Sequence, residues 1–389
     1  MAQAAADRLT NPPYGIVGDG RRVRFALAGE ADEADIRHLL RGAPVGGWVS
    51  LSYEREPDFF RAAAAEGDVH ETLIGRDSAN GKLVVMASRS IRDAWINGQT
   101  SRLGYLGQLR LAASHRSRPW PVLEGYRWIR RMVEDGPDAA CHITSIVSSN
   151  LLARRLLTSR ARNLPTYRAL GGFWTLALPC RRKRTRGEGP AIVDGAPSRQ
   201  EEITDFLAAE NARFQFAPRW TYDDLWSDTR CPGLGARDFV LAYRKGRLAG
   251  CVAIWDQRPF KQYVVRGYPR TLGAIRPIVS MAASAAGWPR LPPVGSVLRQ
   301  AALSHLAVRD DDPDVLRELL AAALDRAGRR GIEMASLGLG DSHPLLATAR
   351  SIFRHLAYRS DLYLIHWGND DRFAAALDGR PIQLEAAVL

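Results

Sequence analysis

The chain has 389 residues, 46% hydrophobic and 25% charged, with a formal net charge of +12. That balance excludes a disordered or fibrous polypeptide and leaves room for two cores of roughly 150 residues each. The longest near-apolar run, Ile278 to Trp288, falls short of the roughly 20 residues of a membrane-spanning helix, and Met1 to Pro13 has no apolar leader, so neither membrane insertion nor secretion is expected.

Cys141, Cys180, Cys231 and Cys251 form no C-x-x-C pair and have no His at ligand spacing, which points to a reducing, cytoplasmic setting without structural zinc. With no H-E-x-x-H either, no metal is expected. The positive charge is almost all arginine, because Lys82, Lys183, Lys245 and Lys261 are the only lysines. It suits nucleic acid, an anionic membrane surface or an anionic cofactor, and Arg with Ala enrichment also follows from a GC-rich bacterial coding sequence. The one dense basic run, Cys180 to Arg186, has no interleaved aromatics to stack bases, so it reads as a solvated linker, and nucleic acid is not an expected partner.

In chain order, Arg22 to Leu27 alternates as a half-buried strand and Glu30 to Leu40 has helical spacing. Glu71–Arg76, Leu83–Trp95 and Ser101–Ala113 are strands joined at Asn80-Gly81 and Asn97-Gly98, the dipeptides of tight hairpins, so a three-strand meander is predicted. A helix follows from Pro119 to Val133, then a strand over Ile143–Val147, a helix over Leu151–Arg160 and a closing strand over Phe173–Leu178. The same order then recurs. Ala191–Val193 is a strand, Ser198–Asn211 a helix capped by Ser198, and Asp238–Tyr243 and Leu248–Trp255 form a hairpin. Val297–Val308 is the long strand, Asp314–Arg329 a helix, Glu333–Leu337 a strand, Leu345–Leu356 a helix and Ser360–Trp367 the last strand.

The expected fold class is therefore α/β, with two tandem units, each a mostly antiparallel sheet flanked by helices. Their bounds are an extension over 1–20, a first domain over 21–180, a linker over 181–190, a second domain over 191–370 and a tail over 371–389. An insertion, 257–295, carries arginines and aromatics among prolines and is expected to pack the two domains together or to close over the cleft between them.

The order of a meander feeding a long strand, a loop and a helix, then strand-helix-strand, resembles the GNAT superfamily of acyl-CoA N-acyltransferases in both halves. In that family the long strand ends in a loop of the form R/Q-x-x-G-x-G/A that opens a helix. The unpaired amides and positive end of such a helix hold the cofactor pyrophosphate. Leu109, Leu111, Arg116, Ser117, Arg118 and Trp120 lie where the resemblance places the strand end and the loop, and they are the implied acyl-CoA contacts. The two glycine positions are occupied by Pro119 and Pro121, each without an amide donor. Arg116, Arg118 and His115 carry the compensating charge, since guanidinium groups bind phosphate where amides are missing.

Asn150 to Leu157 and then Tyr167 to Phe173 resemble the family's N-x-x-A-x-x-x-Y followed by G-F. The resemblance implies Asn150 as a cofactor contact and Tyr167 as the general acid for the leaving thiolate, with Leu157 at the directly spaced tyrosine position. Trp48, Tyr53 and Glu54 fall where the family's acceptor site is walled. In the second unit, Arg309 to Asp314 is acidic and reads as the capping turn of a helix, so that unit is expected to be degenerate as a cofactor site.

The implied reaction is transfer of an acetyl or longer acyl group from CoA to the amine of a small molecule or peptide by direct attack, with no metal. Three readings stay open: this transferase, a non-catalytic ligand-binding or scaffold protein with eroded loops, and an aminoacyl-tRNA-dependent transferase. A homodimer is compatible with each.

Overall fold

The computed structural model describes residues 18–19, 22–47, 49–116, 118, 120–159, 161, 163–180, 189–368 and 372–389. Trp48, Ser117, Pro119 and most of the basic linker lie outside the described residues. The first half runs β1 (Gly18–Asp19), β2 (Val23–Leu27), α1 (Glu33–Gly42), β3 (Ser50–Glu54), α2 (Phe59–Ala64), β4 (Val69–Asp77), β5 (Leu83–Ile96), β6 (Gln99–Leu111), α3 (Trp120–Asp135), β7 (Cys141–Val147), α4 (Leu151–Leu157) and β8 (Thr166–Pro179). The second runs β9 (Ala191–Asp194), α5 (Gln200–Asn211), α6 (Tyr222–Leu225), β10 (Phe239–Arg244), β11 (Arg247–Trp255), β12 (Gln262–Gly267), α7 (Arg270–Ala285), β13 (Gln300–Val308), α8 (Pro313–Arg329), β14 (Met334–Gly340), α9 (Leu346–Ile352) and β15 (Leu356–His366). The meander forms as expected, and Asn97 and Gly98 both take the positive φ that its tight turn requires.

The two halves do not close separately. One 13-stranded sheet runs β1-β2-β4-β5-β6-β7-β15-β8-β14-β13-β11-β10-β9, so the last strand of each half lies beside the penultimate strand of the other. β15 pairs antiparallel with β7 and along nearly all of β8, and β8 pairs in turn with β14. The cores follow the exchange. Leu176 and Leu178 of β8 are fully buried against Leu316, Leu320 and Leu337 of the second half. Tyr363 and Ile365 of β15 are buried with Val23, Phe25 and Ile129 of the first.

Several element bounds differ from the sequence reading, each for a local reason. Pro197–Arg199 forms a 3-10 turn ahead of α5, so Ser198 is inside that turn and not the cap. α4 ends at Leu157, and β8 starts at Thr166, earlier than expected, because β15 supplies partners from Thr166 to Ala177, interrupted only at Leu170. Residues 44–68 contain β3 and α2, which were not anticipated. The insertion divides. β12 pairs with β3 of the first half and ties the halves together, whereas α7 buries only Ser280.

Burial of Leu176 and Leu178 in the partner half generates a test. Leu176→Ala should cost about 2–5 kcal/mol. By hydrogen exchange, the variant should lose amide protection in α8, in the second half. Loss confined to α3 would mean that β8 completes its own half's core.

Candidate functional site

The fourth long strand of each half carries the same irregularity. In β6 the register against β5 shifts between Ser88↔Gly107 and Met86↔Arg110, with Gln108 at φ 53°. In β13 the register against β11 shifts between Ala253↔Ser304 and Cys251↔Ala307, with His305 also at φ 53°. A one-residue bulge bends and twists its strand. Beyond each bulge the parallel ladder to the next strand is lost. β6 pairs with β7 only over Leu103–Tyr105, and β13 with β14 only over Gln300–Leu303, although all four strands continue. At the apex of the first gap the Tyr105 and Ser145 hydroxyls are 2.7 Å apart, and the Thr144 hydroxyl donates to Leu106 O at 2.6 Å.

The two gaps differ in what lies in them. In the second, residues 382–388 lie between the strands. The Gln383 side chain accepts from Gly340 N and donates to Gly338 O, each at 3.0 Å, and Glu385 accepts from the His305 amide at 2.7 Å. Gly338 has no room for a β-carbon against Ala386 and Phe173, and Gly340 has none against Ile382. No such segment is hydrogen-bonded along the first gap among the described residues.

At the wide end of the first gap, Leu109, Leu111 and Trp120 pack against the cluster of Val122, Tyr126, Ile146 and Leu157. Arg116 and Arg118 are exposed, and neither guanidinium has a carboxylate partner among the described residues. Their amides are already donated to Ala113 O and His115 O, so this loop offers charge more than free N–H groups. His115 turns inward, buried, with its Nε2 3.8 Å from Asp77 and its Nδ1 2.9 Å from Ser114 Oγ, and does not join the two arginines. Asn150 caps α4 by accepting from Ala153 N at 3.2 Å.

Tyr167 lies on β8 opposite Ile365, not on a helix. It packs on the same cluster as Leu109 and Leu111, with its hydroxyl 2.6 Å from that of Tyr126. Burial, then the Tyr126 neighbour, pushes the Tyr167 phenol far above its usual range, and burial takes Tyr126 to about 12. Both hydroxyls therefore stay protonated, and because one hydrogen suffices to bridge them, the pair retains a proton to donate.

The opposite side of β6 is roofed by β3 and β12. Tyr53 stacks edge-on against Tyr263 at 4.7 Å and lies under the Arg110 guanidinium at 5.7 Å, and burial raises its phenol to about 12. Glu54 is buried, accepting from Ser52 and Arg266, and borders a cleft of about 540 Å³ with Glu56, Asp256 and Gln262. Sequence reasoning missed the ionic seam beneath this roof. Glu66 is buried and ion-paired with Arg55, with His70 Nδ1 at 3.5 Å and the bulge residue Gln108 also at 3.5 Å. Burial opposes its ionisation, but the Arg55 and Lys261 cations outweigh burial and hold it below the ordinary carboxylate range.

Lys261 donates to the main-chain oxygens of Ala387 and Leu389, each at 3.1 Å, and burial lowers its ammonium to about 8. Arg92 donates to Glu66 O and Val388 O, and Glu385 is pushed up by burial. The one sequence signal for this seam was the isolated Glu66 after four consecutive alanines. The acidic loop of the second half does cap its helix, since Asp312 accepts from Asp314 N and Val315 N while Arg244 and Arg213 neutralise Asp312 and Asp311.

A sheet in which a bulged long strand parts from its neighbour beside a helix, repeated twice, is the GNAT-type N-acyltransferase fold, and solved structures bear this out. Saccharomyces cerevisiae N-myristoyltransferase with bound myristoyl-CoA is similar at a TM-score of 0.55 and 11% identity, over 88% of this chain and 82% of that one. A GCN5-related glucosamine N-acetyltransferase region in a fungal multi-domain GH3 β-N-acetylglucosaminidase is similar at 0.54 and 13%, over 87% of this chain and 38% of that one. No family model and no curated protein matches the chain by sequence.

Burial also sets the acid response. His70 is lowered to about 4, His142 to about 3, His305 to about 3 and His343 to about 4, each chiefly by desolvation of the cation. A group buried neutral contributes stability that is whole above the ordinary histidine value and is lost as pH falls through the folded value. The melting temperature should therefore be level between about pH 6.5 and about pH 8, where Lys261 begins to titrate, and fall steeply towards about pH 4. His305→Asn, chosen to tolerate positive φ, should make that limb shallower by about 2–4 kcal/mol. An unchanged limb in denaturation series across this range would contradict the assignment.

Proposed function

We propose that the chain is an acyl-CoA-dependent N-acyltransferase that works in its first half. The observation that carries this reading is the contrast between the two bulged strand pairs, one threaded by residues 382–388 and the other without such a segment. The donor thioester lies along the first gap, with its pantetheine arm beside Leu109 and Leu111. Arg116 and Arg118 meet its phosphates, with Trp120 and Asn150 as further contacts. Guanidinium groups suit this role because they bind phosphate oxygens in pairs.

The acceptor amine enters from the β3–β12 side, along the wall formed by Tyr53 and Glu54. Glu66, kept ionised beside Gln108, holds the ammonium and takes up its proton. The neutral amine attacks the thioester carbonyl, the C–N bond forms as the C–S bond breaks, the Tyr126–Tyr167 pair protonates the departing thiolate, and the second proton shed by the nitrogen passes through solvent to restore the pair. No covalent intermediate with the protein is required. Because a similar fold binds myristoyl-CoA, the acyl series to test runs from acetyl to myristoyl.

A non-catalytic acyl-CoA-binding reading has one observation in its favour, the Arg116 and Arg118 amides already spent within their loop. Turnover separates the two readings. Calorimetric titration across the acyl-CoA series should give heat with at least one member, and Arg116→Ala/Arg118→Ala should weaken it by about 1–3 kcal/mol. Absence of heat with every member would remove the foundation of both readings. Thiol release with a pool of amines should fall about 100-fold or more in Glu66→Gln, with donor affinity unchanged. Equal rates in Glu66→Gln and wild type would exclude Glu66 from the chemistry.

A further inference from the structure

Helix α7 presents to solvent a face that water would not select. On a helical wheel, Ala274, Ile275, Ile278, Met281, Ala282 and Ala285 fall on one side, and all six are exposed. Ile275 is 49% exposed, Ile278 64% and Met281 65%, while the opposite side holds the helix's single buried residue, Ser280. The segment that follows adds Val294 at 61% and Val297 at 43%. Single exposed apolar residues are ordinary, but a whole uncharged helix face continuous with further exposed apolar residues marks a contact surface.

Charge decides what the contact is. From Gln257 to Arg309 the chain contains no Asp or Glu. Arg270, Arg276, Arg290 and Arg299 flank the helix, and none has a carboxylate partner among the described residues. Arg276, Arg290 and Arg299 line a groove of about 700 Å³ under the helix, with Met281, Val297 and a single carboxylate, Glu333. A second copy docked across a twofold axis would bring these unpaired cations towards one another, which disfavours self-association. A surface that is apolar at its centre and cationic at its edges matches the interface of an anionic bilayer, where the apolar face enters the headgroup boundary and the arginines stay among the phosphates.

We propose that α7 and the segment 286–299 dock the protein on an anionic membrane surface, with the face centred on Ile278 and Met281 lying in the headgroup region. This inference stands apart from the acyltransferase reading. No helix among the described residues is long and apolar enough to cross a membrane, so the contact is peripheral.

The full chain is tested by sedimentation with vesicles of phosphatidylcholine containing about 30 mol% phosphatidylglycerol, and with phosphatidylcholine alone. Binding is expected to the anionic vesicles and to weaken as salt rises from about 0.1 M to about 0.5 M. Ile278→Glu/Met281→Glu and Arg270→Gln/Arg290→Gln should each reduce binding at least about tenfold with melting temperature unchanged, since these side chains are exposed. Absence of vesicle binding, or binding that neither variant weakens, would overturn the proposal. A dimer in sedimentation velocity without lipid, abolished by Ile278→Glu/Met281→Glu, would also overturn it.

Discussion

The architecture hangs on the antiparallel pairing of β8 with β15. Its register runs from Leu356↔Ala177 to His366↔Thr166, and each strand is flanked on its other edge by a strand of the opposite half. Hydrogen bonds set the neighbours, and side chains set the cores, so Leu176 and Leu178 belong energetically to the second half while Tyr363 and Ile365 belong to the first. Each buried aliphatic chain contributes roughly 1.5–3 kcal/mol through removal from water. The same exchange fixes the two bulged strands in one rigid sheet, with the seam of Glu66, Arg92, Lys261 and Glu385 between them.

Two copies of one strand irregularity have been put to different uses. At His305 the space beside the bulge is taken by the chain itself, and the bulge amide is satisfied by Glu385. At Gln108 the neighbouring carboxylate, Glu66, is held ionised by Arg55 and faces a side roofed by aromatic and acidic residues. Burial alone would neutralise a carboxyl group. Keeping one charged beside a strand break therefore needs the compensating cations present here, and this is the physical case for placing chemistry in the first half. The second half then supplies cover, through β12, and the lysine that closes the seam.

Much of the element order was legible in the sequence because alternation and Asn-Gly turns act locally. Asn97-Gly98 set the hairpin, and the helix over 120–135 followed its apolar spacing. The exchange was not legible, since the alternating pattern of Trp174, Leu176 and Leu178 states that one face is buried without naming the partner. Tyr167 had the expected distance to Gly171, yet spacing along the chain does not distinguish a helix end from a strand start after a proline. The seam at Glu66 escaped for a related reason. Arg55, His70 and Lys261 converge on it from three elements, one of them nearly 200 residues away.

The most direct test of the central claim, that the gap beside Gln108 holds the donor, is photolabelling with an acyl-CoA carrying a photoreactive group in its acyl chain, followed by peptide mapping. The account predicts adducts in β6, β7 and α3, suppressed by unlabelled acyl-CoA. Adducts confined to β13, β14 and residues 382–388 would contradict it.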